Sequence, residues 1–339
     1  ANHFLAGNGR KGVGEMLSDI EIAQSTQLKP IVQVAKELGI SADDVLPSST
    51  GVIGQAMSIE PFAKGIPEAA AKLAASEAGS HAAATAIMTT DTHPKEIALE
   101  FEVGGKTVRI GAIAKGSGMI HPNMATMLCF ITTDLAIDGK LLQKALSEIV
   151  ETSFNMISID GDMSTNDMVI VMANGAAGNA PITEENEDYA IVKEALDKLC
   201  KELAKEIADD GEGATKFLTV HVTGTKTFAD AKTIGMSVAK SPLVKTAFFG
   251  ADPNWGRVIC AVGYAGVPMN PEDVVVKFGD FPVYAHGVGA EHDAEALAKV
   301  MEQHDITISI DMGQGEEEAT VWTCDFSYEY VKINGEYHT

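Results

Sequence analysis

The sequence predicts an α+β fold, with layers of mixed β-sheet flanked by helices and a smaller C-terminal α/β domain. Three observations predict it. Residues 95–112 read as a β-hairpin, residues 184–209 as a long amphipathic helix, and the order of strands and helices lacks a regular βαβ rhythm while hairpins recur. In the hairpin, Ile97, Leu99, Phe101 and Val103 alternate with Glu100 and Glu102. Gly104-Gly105 supplies a two-residue turn, and Val108, Ile110 and Ala112 resume the alternation.

The remaining elements follow from period and punctuation. Ile31, Val34, Ala35 and Leu38 share one helical face, closed by Gly39. Leu141, Leu142, Ala145 and Ile149 mark a helix over 140–154, and buried strands are expected over 157–160 and 167–173, around the loop "DGDMSTND". Ile191, Ala195, Leu199, Leu203 and Ile207 form the stripe of the long helix, which "DGEG" at 210–213 stops. "FLTVHV" at 217–222 opens a strand; a helix, a glycine-rich loop, a hairpin around Gly279-Asp280, a helix over 293–304 and two closing strands follow. The helix-to-strand change near Thr215 divides the chain into a catalytic layered domain, 1–214, and a C-terminal domain, 215–339.

The chain has 339 residues and a formal charge of −23, which argues against a nucleic-acid partner, because neutralising phosphates requires clustered Lys and Arg. Cys129, Cys200, Cys260 and Cys324 are far apart, each in apolar company, so buried reduced thiols are expected. No secretory signal pattern and no apolar run of spanning length is present, so a cytoplasmic location without a membrane partner is expected. The nine histidines show no metal-ligand spacing, and neither a metal nor a cofactor is expected.

Several motifs carry less than their letters suggest. "GNGRKG" at 7–12 matches GxGxxG, but no strand precedes it and no βαβ unit surrounds it, so a loop leading to a helix is the better reading. "DGDMSTND" at 160–167 has Thr165 where a calcium loop needs Gly and Val171 where it needs Glu, which leaves a polar turn able to line a cleft. No GxSxG elbow occurs. In "SSTGVIG", Thr50-Gly51 offers a hydroxyl and an unhindered N–H side by side, the parts of an oxyanion hole or of a plain strand-ending turn.

Thr126, in "GSGMIHPNMATMLCF", is either an ordinary β-branched strand residue or a self-cleaving nucleophile. In the second case its hydroxyl attacks the Ala125 carbonyl, and water hydrolyses the resulting ester. The freed α-amine, with a reference pKa of about 7.7–8.0, then serves as base for its own Oγ.

"AKGSGMIHPNMATML" at 114–128 closely resembles the processing motif of the ornithine acetyltransferases, the bifunctional glutamate N-acetyltransferases of arginine biosynthesis. The resemblance continues through "VLPSSTGVIG", "AIMTTDTHPKE", "DGDMSTNDM", "NGAAGN", "DGEGATKF", "SPLVKTAFFGADPNWGR" and "YVKINGEY", in order along nearly the whole chain. It implies a precursor cut between Ala125 and Thr126 into an α chain, 1–125, and a β chain, 126–339. Thr126 becomes the nucleophile that takes acetyl from N-acetylornithine and passes it to glutamate. Thr50 and Gly51 match the family's oxyanion pair, and substrate contacts carry over to Thr92, Lys115, Thr126, Glu212, Asn334 and Thr339. The resemblance implies a heterotetramer of two α and two β chains, and some relatives accept acetyl-CoA as a further donor. It also implies a longer N-terminal segment than this chain shows, with further α-chain strands, and "ANHFLAGNGRKG" is an unusual form of the family's stretch there.

Chemistry adds roles to these names. Both substrates are amino acids, so Lys115 is expected to take a carboxylate and Glu212, at the end of the long helix, an amine. A carboxylate is unfavourable at a helix C-terminus, which argues for a functional reason to keep Glu212 there. Asn334 and Thr339 suggest a tail that folds back over the pocket. The alternative reading is a self-processing aminopeptidase or amidase of related architecture, which passes the acyl group to water.

Overall fold

The computed structural model describes residues 35–36, 39, 41, 45–53, 55, 58, 60–121 and 127–337. The chain divides into two compact units, Ala1–Ala74 with His338–Thr339, and Ala75–Tyr337. The described part of the first unit contains helix α1 (Glu60–Ala70) and an irregular stretch before it. The "GNGRKG" loop and most of the helix expected over 31–38 lie outside the described residues; Ala35 and Lys36 are helical.

The second unit opens with helix α2 (Glu77–Ala86), whose Ser76 cap accepts from the Gly79 N–H. Strands β1 (Lys95–Val103) and β2 (Lys106–Lys115) form the expected hairpin, with Val103 opposite Lys106. Gly104 and Gly105 both adopt positive φ, 55° and 72°, as a two-residue turn matched to strand twist requires. Strand β3 (Leu128–Thr133) pairs antiparallel with β2, and helix α3 (Gly139–Thr152) follows, capped by Asp138. A 3₁₀ turn (Phe154–Met156) leads to the short β4 (Ile157–Ser158). Strand β5 (Met168–Ala173) then pairs parallel with β3, completing a four-stranded sheet in the order β1-β2-β3-β5.

Helix α4 (Glu187–Asp209) starts at the cap Asn186 and packs on β1 and β2. Its buried face is Val192, Leu196, Leu199, Cys200, Leu203 and Ile207, while Ile191 is exposed. The expected stripe was therefore right in its C-terminal half and one position off in its N-terminal half. The 3.6-residue period allows both phases there, because Ile191 and Val192 are both apolar.

After α4 come β6 (Phe217–Thr225), α5 (Phe228–Ala239), α6 (Pro242–Phe249) and α7 (Trp255–Gly263). Strands β7 (Val275–Phe278), β8 (Phe281–Ala285) and β9 (Val288–Gly289) follow, with the turn at Gly279-Asp280. Helix α8 (Ala294–Met301), β10 (Asp305–Asp311), β11 (Glu317–Cys324) and α9 (Tyr328–Glu336) close the described chain. The second sheet runs β4-β11-β6-β10-β7-β8-β9. Strand β6 separates the two closing strands, parallel to β10 and antiparallel to β11. Helix α5 covers β6 and β11, and α4 also touches β11, so one apolar core runs from Val103 to Cys324 through both sheets.

Three differences from the sequence reading stand out. The single helix expected after β6 is three helices, punctuated by the caps Ser241 and Asn254. The stretch after the last strand, Tyr328–Glu336, is helical, with Ser327 capping α9. Of the four cysteines, all free, Cys129, Cys200 and Cys324 are buried but Cys260 is exposed, on the outer face of α7.

Candidate active site

The first sheet and α4 bring together groups that are distant in sequence. At the start of β1, the Lys95 ammonium lies 2.7 Å from Asp91 Oδ1 and 2.6 Å from Asp210 Oδ2, all three side chains buried. Asp91 Oδ1 also accepts the Gly116 N–H at 2.7 Å, and Asp91 Oδ2 the Thr89 N–H at 3.1 Å. Asp210 accepts the Thr92 N–H at 3.0 Å and the Thr92 hydroxyl. Burial pushes the Asp91 carboxyl up, but the Lys95 charge and the two N–H donors outweigh it, and its pKa ends below the ordinary carboxylate value. One ion triad thus ties the approach to β1, the turn after β2 and the residue that ends α4.

Lys115 is the last residue of β2, buried at 3% exposure, and its Nζ lies 3.2 Å from the Thr89 hydroxyl. Among the described residues no carboxylate lies in ion-pair reach of it. Burial lowers its pKa, with Asp91, Asp167 and Glu212 pulling the other way. A buried ammonium answered only by a hydroxyl retains capacity for an anion.

Glu212 supplies the opposite charge. It follows the end of α4 by three residues, in the turn that the Glu212 N–H closes on the Ser117 carbonyl at 2.8 Å. It is thus off the helix end, and the residue at the C-cap is Asp210, whose charge Lys95 answers. The Glu212 carboxylate is 6% exposed and accepts the Asn334 amide at 2.6 Å. A Cβ on Gly118 would overlap that carboxylate, so the turn after β2 approaches it as only glycine can. Asn334 lies on α9, so the part of the expected tail that reaches Glu212 is helical.

The loop "DGDMSTND" borders the same turn. Asp160 accepts two consecutive N–H groups, Met119 at 2.6 Å and Ile120 at 3.0 Å, and Met119 is held at φ 54°, a left-handed conformation unusual outside glycine. Asp167 Oδ1 accepts the Met127 N–H at 2.8 Å, while the Met168 N–H donates to the Met127 carbonyl at 3.0 Å. Burial pushes the Asp167 carboxyl up to about 7, against the pull of Met127 and Lys115.

The structure therefore assembles Thr92, Lys115, Glu212 and Asn334 around Asp91, Lys95, Asp210 and Ser117. Ala125, Thr126 and Thr339 lie outside the described residues. Thr50 and Gly51 belong to the first unit, Thr50 half-buried and Gly51 exposed in irregular chain. Sequence reasoning missed Asp91, Lys95, Asp210 and Asp167. The one available signal for the triad was the Asp91/Lys95 spacing of four just before a strand, a pattern common on surfaces.

A family model described as the ArgJ family matches residues 23–339. The chain belongs to the ArgJ family. Among its ArgJ relatives, the arginine biosynthesis bifunctional protein of Symbiobacterium thermophilum is 50% identical over 305 residues, covering 90% of this chain and 75% of the relative. That of Bacillus subtilis is 47% identical over 305 residues, with 90% and 74% covered. A crystal structure of the bifunctional protein from Bacillus halodurans is similar at 43% identity and a TM-score of 0.59, covering 61% of this chain and 98% of that one. The ArgJ assignment agrees with the α+β architecture of mixed sheets flanked by helices. Among the described residues, no helix is long and apolar enough to cross a membrane.

Proposed function

We propose that the protein is a self-processing acetyltransferase of arginine biosynthesis that moves acetyl from N-acetylornithine to glutamate through an acetyl-Thr126 ester. The observation that carries this reading is the pairing of a buried, unanswered Lys115 ammonium with a buried Glu212 carboxylate in one turn system. An amino-acid substrate needs those two charges, with Lys115 for its carboxylate and Glu212 for its amine.

In the processing step, Thr126 Oγ attacks the Ala125 carbonyl carbon, the peptide C–N bond breaks, and water hydrolyses the ester. This leaves an α chain, 1–125, and a β chain, 126–339. In transfer, the same oxygen attacks the acetyl carbonyl of the donor and the Thr126 α-amine takes its proton. The C–N bond to ornithine breaks, the leaving nitrogen regains a proton, and the glutamate amine then attacks the ester. Thr50 and Gly51 supply donors to the tetrahedral oxyanion. Thr92, Asn334 and Thr339 complete the substrate contacts. The reading divides the chain at 214/215 into catalytic and C-terminal domains. It also includes a heterotetramer of two α and two β chains in the cytoplasm, and acetyl-CoA as a further donor.

Intact mass together with incubation in N-acetylornithine and glutamate tests the proposal. Two masses that sum to the precursor plus water, with N-acetylglutamate formed, are expected. Thr126→Ala is expected to give one uncut chain and no transfer. Free acetate without N-acetylglutamate identifies a hydrolase instead, and a Thr126→Ala chain that still splits removes Thr126 as nucleophile.

A further inference from the structure

Asp160 and Asp167 stand at the two ends of one loop and do nearly the same thing. Asp160 spends one oxygen on each of two consecutive N–H groups, Met119 and Ile120. Asp167 spends Oδ1 on the Met127 N–H, but its Oδ2 is buried with no donor among the described residues. A buried carboxylate oxygen without a partner is costly, so such an atom is kept where a donor arrives in another state of the molecule. The site is well fixed. Met127 is held on both sides, by Asp167 through its N–H and by Met168 through its carbonyl, where β3 and β5 begin their parallel register at Leu128 and Met168.

The charge of the missing donor follows from the surroundings. Among the described residues Asp167 has no ion pair, and the cation that acts on it is Lys115, which no described carboxylate neutralises directly. An anion is excluded beside a carboxylate, an apolar group leaves the oxygen unanswered, and a neutral hydroxyl or amide answers the hydrogen bond but not the charge. A protonated primary amine satisfies both charge and hydrogen bonding.

We propose that Asp167 is a positioning residue for acyl transfer, fixing the Met127 N–H with one oxygen and holding a protonated primary amine with the other. This deepens the function proposed above and rests on it. Two amines have this chemistry. One is the α-amine that cutting creates, on the residue bonded to Met127; the other is the free amine of the donor substrate, an ammonium with three N–H groups that Asp167 would share with Glu212.

The Asp167→Asn variant separates them, because its amide oxygen still accepts from Met127 while the negative charge is gone. The first arm follows reductive methylation of the new chain end against pH by mass. If Asp167 holds that amine, its apparent pKa falls by at least half a unit in the variant. The second arm compares N-acetylornithine with N-acetylnorvaline, which lacks the side-chain amine. If Asp167 holds the substrate, the wild-type preference for N-acetylornithine drops at least tenfold in the variant. In either case Asp167→Glu, which keeps the charge, is expected to recover part of the effect. Should the Asn variant not fold, the same two readings are taken on Asp167→Glu, which moves the carboxylate, and a change in neither relative to the unaltered protein overturns the proposal. An unchanged chain-end titration with an unchanged donor preference overturns the proposal. A wild-type chain that stays uncut refutes self-processing instead, and the donor arm then decides the role of Asp167 alone.

Discussion

Lys95 Nζ lies 2.6 Å from Asp210 Oδ2, joining the first residue of β1 to the residue that caps α4, 115 positions later, inside the core. Because Asp91 shares the same ammonium, one cation holds two buried carboxylates, and through them Thr92 and Gly116. Removing the cation leaves two uncompensated charges, a loss of about 3–5 kcal/mol. Lys95→Met is therefore expected to lower the urea midpoint strongly. A variant within about 1 kcal/mol of the parent shows that the triad is not what fixes the site.

Lys115 makes a different prediction, because among the described residues no carboxylate pairs with it. Lys115→Gln is expected to leave stability nearly unchanged or slightly raised, since it removes a buried charge. The KM for glutamate should rise about 10- to 100-fold, the value of one charged hydrogen bond of about 1.5–3 kcal/mol. Binding needs the ammonium, and burial lowers its pKa, so the wild-type KM should climb at alkaline pH sooner than an ordinary lysine would allow. A KM flat to pH 10 contradicts this.

The hairpin, the helices over 140–154 and 184–209 and the strands around the acidic loop were legible because their signals are local, although β5, expected to be buried, is only half-buried to exposed. Gly104-Gly105 sets a turn and a stop at 210–213 ends α4, whereas the caps Asp138 and Asn186 came from the structure alone. Lys115 and Glu212 were named from a family motif, and composition alone would not have chosen them among 73 formally charged residues (25 + 48). The triad was not legible because Asp91, Lys95 and Asp210 acquire meaning only through contact across β1 and α4. The unpaired oxygen of Asp167 depends on the absence of a neighbour, which no sequence pattern encodes.

Gly118 is a sharp test of the turn, because a methyl group there displaces the Glu212 carboxylate from Asn334. The clashing atoms are the far end of a flexible side chain, so Gly118→Ala should cost under about 1 kcal/mol of stability. Transfer should nevertheless fall at least as much as in Asn334→Ala, which removes the partner without moving the carboxylate by force. Thermal unfolding beside steady-state kinetics checks both halves. An active Gly118→Ala enzyme indicates that the placement of Glu212 is not critical.

Asp167 links the site to stability through pH. Its folded pKa, about 7, lies above the ordinary carboxyl value of 3.8, so the folded state binds more protons between those limits. Its contribution is therefore fully present below 3.8 and is lost as pH rises through 7. Replacement by Asn removes that loss. Urea titrations of Thr126→Ala, which keeps one uncut chain without the new amine, isolate the effect. Adding Asp167→Asn to that background is expected to stabilise it more at pH 8 than at pH 5. A gain equal at both pH values, or larger at pH 5, means that the carboxyl is already ionised well below 7 and that burial does not govern it.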